Sequence, residues 1–354
     1  MKKSFKKISA MLLTAAFAVG ASACEVNNKE TKKTDDKLNI YASFYPMYEF
    51  TQAIVGDVAE VVNIMPPGSA SHGWEPSAKQ VAELKNADFL VYQGAGMEEW
   101  IDDVKATLKA EDSKLMFVEA SEGVELLAGQ AHDHGEHADE HDHEELEDEH
   151  DHGEHADEHK HEEHADEHVL HESHDHAHNY AFDPHVWLSP KNSDKMAQNI
   201  MTALSKLDPE NAKTFEKNYE TLSKKFTDLD ELYRTKLTEN KVKSFVITHE
   251  AFGYIAHEYG LVQYGLTGMG TEEEPNPERL AEVVKLVKDE EMKAIFYDDG
   301  GSDKIAQVVA AEAGLTNVLP LTTMHSPTED ELAEKNDYFT LMERNLNNLL
   351  KNSK

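Results

Sequence analysis

Residues 131–178 cannot contribute to a packed core, so whatever this chain folds into must be built on either side of them. That stretch holds 16 of the 21 histidines and 20 acidic residues, with almost no large apolar side chain. The unit His-Asp-His-Gly-Glu-His-Ala-Asp-Glu-His runs from His132 to His141 and returns unchanged at His150–His159, with a shortened copy at Glu163–His168. So little apolar surface cannot offset the entropy of ordering the backbone, and the segment is expected to be a disordered insertion. Its imidazole nitrogens and carboxylate oxygens are what a divalent metal takes as ligands. A purely solvating linker would need only the acids; this density of histidine points to metal capture.

On both sides of the insertion, strand-like runs alternate with helix-like ones. Before it, β-rich Leu38–Tyr45 leads into a helix near Pro46, whose fixed φ suits a first helical turn. Val58–Met65 is the next strand and Glu75-Pro76-Ser77 opens a helix carrying Val81, Leu84 and Ala87. Phe89–Tyr92, Glu98–Leu108 and Leu115–Val118 read as strand, helix and strand. After residue 240 the alternation resumes with strand Ser244–Thr248 and helix His249–Tyr259. A helix opening at Asn276-Pro277 follows, then strand Ala294–Tyr297, helix Ser302–Ala313 and strand Val318–Leu321. Between the two series, from Pro209 to about Thr238, an apolar stripe from Phe215 to Leu237 at spacings of three and four predicts one helix of about 45 Å. The expected fold class is therefore α/β: two lobes, each a mainly parallel sheet flanked by helices, joined by one long backbone helix with a cleft between the lobes.

The first residues carry Lys2, Lys3, Lys6 and Lys7, then an apolar run from Ile8 to Val19 and small residues leading into Cys24, the sole cysteine. This is the pattern of a cleaved secretory signal, too short for a transmembrane helix. Ala-Ser-Ala before Cys24 resembles a bacterial lipobox, which would make Cys24 a lipidated first residue. The expected organisation is a signal peptide over 1–23, a lipidated tether over 24–37 and an N-terminal lobe over 38–190 containing the insertion 131–178. Connecting helices over 191–240 and a C-terminal lobe over 241–354 complete it. The insertion contributes −19 of the net charge of −35 and leaves −16 elsewhere. An acidic body repels phosphates, which excludes nucleic acid as a partner and suits the collection of cations.

Five histidines stand outside the insertion: His72, His185, His249, His257 and His325. His72 lies in the loop leaving the second strand, and His249 follows the strand Phe245–Thr248. In open parallel sheets ligands bind at the carboxyl ends of the strands, so each lobe offers one histidine where a ligand site belongs. His185, in Phe182-Asp-Pro-His-Val-Trp-Leu188, sits near the lobe boundary and suits a third ligand.

Read in order, Ser71-His72-Gly-Trp-Glu75-Pro76, Asp183-Pro184-His185-Val-Trp-Leu and Val246-Ile-Thr248-His249-Glu-Ala-Phe-Gly253-Tyr resemble the metal-binding lipoproteins of bacterial ABC importers. These are the cluster A-I solute-binding proteins, and the match is to their zinc-specific branch. Glu274-Pro275-Asn276-Pro277 and Asp337-Tyr-Phe-Thr-Leu-Met342-Glu-Arg-Asn345-Leu belong to the same pattern, which covers nearly all of Leu38–Leu350 outside the insertion. The resemblance implies that His72, His185 and His249 bind Zn2+ as the transported ligand between two lobes. A permease with its ATPase would then receive the ion from a monomer lipid-anchored to the outer face of the cell membrane, or from the periplasm if there are two membranes. In manganese relatives a glutamate stands in the place of His249; imidazole suits zinc, whereas manganese favours carboxylate, so a manganese-binding component is the lesser alternative. Three histidines leave one tetrahedral position open. Zinc members place a glutamate soon after a Pro-Leu pair, but here Pro320-Leu321 is followed by Thr322. His325, Asp298, Asp299, a histidine of the insertion or water could complete the site.

Two other classes bear weighing. Catalytic zinc is also held by three ligands and an open position, but Gly253 stands where His-Glu-x-x-His needs its second histidine. His257 arrives eight residues after His249, about 12 Å along a helix and too far to share an ion. The chain is therefore not expected to be an enzyme. A buffering or storage lipoprotein working only through the insertion would leave the lobed body without a purpose.

Overall fold

The register of two parallel sheets decides which side chains meet at the centre of the molecule. The computed structural model describes residues 37–69, 72–129, 181–269 and 275–353. The expected signal peptide, Cys24, nearly all of the tether and the histidine-rich insertion lie outside the described residues. The first sheet consists of β1 (Asn39–Ala42), β2 (Glu60–Asn63), β3 (Phe89–Tyr92) and β4 (Met116–Glu119), in the order β2-β1-β3-β4 with every pair parallel. The second consists of β5 (Ser244–His249), β6 (Val262–Thr267), β7 (Ile295–Asp298) and β8 (Val318–Leu321), in the matching order β6-β5-β7-β8, again all parallel. Each sheet therefore switches direction between its first and third strands, which is where such sheets open a crevice.

Helices cover both sheets. Helices α1 (Tyr45–Val55), α2 (Ala78–Leu84) and α3 (Ile101–Ala110) belong to the first series, α4 (Pro190–Leu207) and α5 (Ala212–Asn240) connect the two, and α6 (Gly253–Tyr259), α7 (Pro277–Asp289) and α8 (Lys304–Ala313) belong to the second. Short α9 (Glu329–Ala333) and α10 (Tyr338–Leu349) close the chain. Local sequence sets several of these starts. Ser77 and Gln80 form a capping box that begins α2, and Asn276 caps α7 with Pro277 at its first turn.

Four expectations need correction. Strand β6 is not anticipated by the sequence, because Val-Gln-Tyr-Gly-Leu-Thr is a half-exposed edge strand interrupted by Gly265. The helix expected from His249 begins only at Gly253, since His249 is the last residue of β5. Helix α2 stops at Leu84 and does not carry Ala87, and α3 starts at Ile101 rather than Glu98.

Helix α5 is the common wall of both halves. Its 29 residues span about 43 Å, and Phe215, Leu222, Phe226, Leu229, Tyr233 and Leu237 are all buried. Phe226 meets Phe50 of α1 edge-on at 5.2 Å and Tyr338 of α10 at 5.7 Å. The Tyr233 hydroxyl donates to the carbonyl of Met342 at 2.6 Å. One continuous apolar cluster runs from Ile40 and Val91 of the first sheet through these residues to Phe245 and Phe296 of the second.

Candidate metal centre

The pairing of β5 with β7 aligns Ile247 with Phe296, so two residues further on His249 and Asp298 end their strands side by side. Asp298 Oδ2 lies 3.0 Å from His249 Nδ1. Burial works against its charge, but the His249 contact, Gly300 N–H and the Thr323 hydroxyl outweigh it and hold the carboxyl below its usual range. On the other side of the cleft, His185 begins a 3-10 turn, Val186–Leu188. Asp183 Oδ1 accepts from both the His185 backbone N–H at 2.9 Å and Nδ1 at 2.8 Å. Burial lifts Asp183 to about 7 and holds His185 well below its ordinary value. Both shifts express the same opposition to isolated charge in a dry site; a bound cation would favour the ionised Asp183 carboxylate and keep His185 neutral.

His72 reaches in from the loop after β2. Its ring centroid is 5.4 Å from that of His185 and 5.2 Å from that of His249, with those two 5.0 Å apart. One ligand nitrogen from each of the three lies within 4.8 Å of the others. Zinc–nitrogen bonds of 2.0–2.1 Å put tetrahedral ligands about 3.4 Å apart, so zinc here would draw the rings inward by roughly an ångström. His249 Nε2 also lies 2.9 Å from the carbonyl of Met269; that contact would be exchanged for the metal bond. Carboxylates on the Nδ1 side of His185 and His249 fix the ring orientation and favour the tautomer that presents Nε2, the supporting arrangement of histidine-bound metals.

Of the other candidates, His257 is exposed in the last turn of α6. Asp299 is paired with Arg344 at 2.5 Å; burial, Asp298 and Glu331 raise it to about 6. His325 is 5 % exposed, with its ring 5.1 Å from His72 and 5.3 Å from His185. A cavity of about 410 Å3 beside them is bordered by His249, Asp298, Asp299, His325 and Glu331. Two loops from opposite sheets meet at its rim. Gly68 N–H donates to the Ser326 carbonyl (3.2 Å), Ser69 N–H to Ser326 Oγ (3.1 Å), and Ser326 Oγ–H to the Pro66 carbonyl (2.7 Å).

Sequence reasoning passed over several supporting residues. Glu98 is buried and accepts from Ser43 Oγ–H at 2.6 Å, Gln93 N–H at 2.8 Å and Gly94 N–H at 2.9 Å. It thereby fixes the end of β3, and Gln93 Nε2 donates to the Pro184 carbonyl just before His185. Trp187, fully buried, sits 4.7 Å from the His325 ring and donates to the Thr323 carbonyl at 2.7 Å. Nothing in Met-Glu-Glu-Trp distinguishes Glu98 from a surface charge; only the strand end that folds over it does.

A family model described as ZnuA, "Zinc-uptake complex component A periplasmic", matches residues 40–352. The zinc-binding protein AdcA of Streptococcus pyogenes is 38% identical over 319 residues, covering 89% of this chain and 56% of the relative. The chain thus spans little more than half the length of that relative. The high-affinity zinc uptake system protein ZnuA of Bacillus subtilis is 34% identical over 349 residues, covering 98% of this chain and 97% of the relative. Among solved structures, the Zn(II)-bound ZnuA-like domain of Streptococcus pneumoniae AdcA is similar with a TM-score of 0.68 at 31% identity, over 90% of this chain and 99% of that one.

Proposed function

The chain belongs to the zinc-uptake complex component A family, and on that premise we propose that it is the extracytoplasmic zinc-binding component of an ABC importer. Zn2+ is the cargo in this reading, held by His72, His185 and His249. The observation that carries it is the approach of three histidine nitrogens to within 4.8 Å of one another. Neutral imidazoles replace water around the ion, the supporting carboxylates compensate its charge, and a membrane permease driven by an ATPase receives it. All-imidazole ligation favours zinc over manganese. The relative of Streptococcus pneumoniae named a zinc-binding lipoprotein supports an anchor at Cys24 on the outer face of the membrane, or periplasmic placement where there are two membranes. No helix among the described residues is long and apolar enough to cross a bilayer. The protein acts as a monomer, and residues 131–178 collect zinc near the cleft.

Binding rather than catalysis is supported by Glu250, the nearest general-base candidate, whose Oε1 accepts from the Gly265 N–H at 3.1 Å in the neighbouring strand. The composition of 131–178 favours one rival reading, metal buffering by that segment alone. Chelator-competition titration of the mature protein, with and without residues 131–178 and with and without His249→Ala, separates the two. A tight site that survives the deletion and collapses with the substitution supports transport. Tight binding that vanishes with the deletion and ignores His249 supports buffering and removes the three-histidine assignment.

A further inference from the structure

We propose that His325 supplies the fourth ligand to the metal, completing a four-histidine site in which no carboxylate touches the ion. The proposal rests on the three-histidine reading above and extends it to the loop after β8.

The first argument is elimination among nearby donors. Asp183 is committed to His185 and Asp298 to His249. Asp299 is turned to Arg344, which also binds Glu331. His325 remains: its Nε2 is buried and meets no hydrogen-bond partner among the described residues, an uncommon condition for a buried polar atom. His185 Nε2 is in the same condition.

The second argument fixes the proton. His325 Nδ1 lies 2.8 Å from Thr323 Oγ1. That hydroxyl donates to Asp298, with oxygens at 3.2 and 3.3 Å, because an ionised carboxylate only accepts. A hydroxyl has one proton, so toward His325 it must accept, and Nδ1 must carry the hydrogen. A neutral imidazole protonated at Nδ1 presents its lone pair at Nε2, the form that binds metal. Asp298 thus orients two rings: His249 directly, and His325 through Thr323.

The third argument is position. The loop carrying His325 is fastened to the opposite lobe by its own backbone, with Tyr45 N–H donating to the His325 carbonyl at 3.4 Å and the Ser326 contacts on the other side. Trp187 packs against the ring, which limits its freedom to turn away. The His249 and His325 centroids are 6.4 Å apart, the widest separation among the four rings, so metal binding draws His325 toward the other three.

The test loads the full chain with one equivalent of Zn2+ and counts imidazoles by X-ray absorption at the zinc edge, alongside chelator competition. Wild type should show four imidazoles. His325→Ala should show three with an added oxygen, and lose at least about 10-fold in affinity, the lower bound for disturbing even a supporting residue. Thr323→Val, which removes the relay hydroxyl at nearly constant shape, should weaken binding while keeping four imidazoles. His257→Ala should match wild type. A His325→Ala protein with the ligand count and affinity of His257→Ala overturns the proposal. His249→Ala tests the underlying reading separately: affinity unchanged in that variant would remove the three-histidine site and the fourth ligand with it.

Discussion

Gly253→Ala should impair zinc binding while leaving the fold almost intact. Gly253 opens α6 without a left-handed backbone, so alanine is conformationally welcome there. The obstacle is spatial: a Cβ would overlap Asp183 Oδ2 and stand 3.7 Å from its Cγ. Asp183 has nowhere to retreat. It is 2 % exposed, its Oδ1 is held by two donors of His185, and its carbonyl accepts from the Tyr254 hydroxyl at 2.9 Å. Either the carboxylate rotates or α6 backs away, and both stretch the bond that aims His185. Losing such a supporting contact costs about 10- to 100-fold in metal affinity, or about 1.4–2.7 kcal/mol. Overpacking costs the fold about 1–3 kcal/mol, offset by about 0.4–1 kcal/mol from the stiffer unfolded chain. Chelator competition at one equivalent of zinc gives the first quantity and thermal melts in chelator the second. Zinc affinity within twofold of wild type would refute the claim that Asp183 sets the aim of His185.

Three further outcomes are expected. Phe226→Ala should lower stability by about 3–5 kcal/mol in one cooperative urea transition, because Phe226 touches residues from both halves; two separated transitions would contradict the shared core. Burial and the neighbouring Asp337 raise Glu49 to about 7. A raised carboxyl stabilises fully below its unfolded value of about 4.5 and loses that contribution as pH climbs to about 7. Glu49→Gln should therefore gain about 1–3 kcal/mol on wild type between pH 4.5 and 7.5, whereas parallel melting curves would disprove it. Ser326→Ala removes two side-chain hydrogen bonds worth about 0.5–1.5 kcal/mol each and should speed zinc release by roughly 5- to 150-fold; an unchanged stopped-flow release rate would count against the rim contacts.

Strands β3 and β8 are legible to the residue: β3 is an unbroken strand-forming run, and β8 tolerates Pro320 because it is an edge strand. Strand β6 is hidden because an edge position and Gly265 dilute both alternation and hydrophobicity. The strand-end rule points to His72 and His249, and the lobe boundary to His185, since both need only the order of elements. It could not rank His325, whose place depends on the loop after β8 folding back over the cleft. It could not assign Asp298 either: whether that carboxylate faces metal or a histidine is decided by the pairing of β5 with β7, a contact 49 residues apart.

The unbroken apolar cluster through α5 has a consequence for turnover. Swinging the two halves apart would bring packed aromatic rings into water, a barrier far above that of parting the three hydrogen bonds where Pro66–Ser69 meets Ser326. The route of lower activation energy is a local peeling of those loops. In the reading proposed above, how long an ion dwells is governed at the rim rather than by a hinge, and a docking partner that competes for those few groups would hasten discharge without deforming the body of the protein.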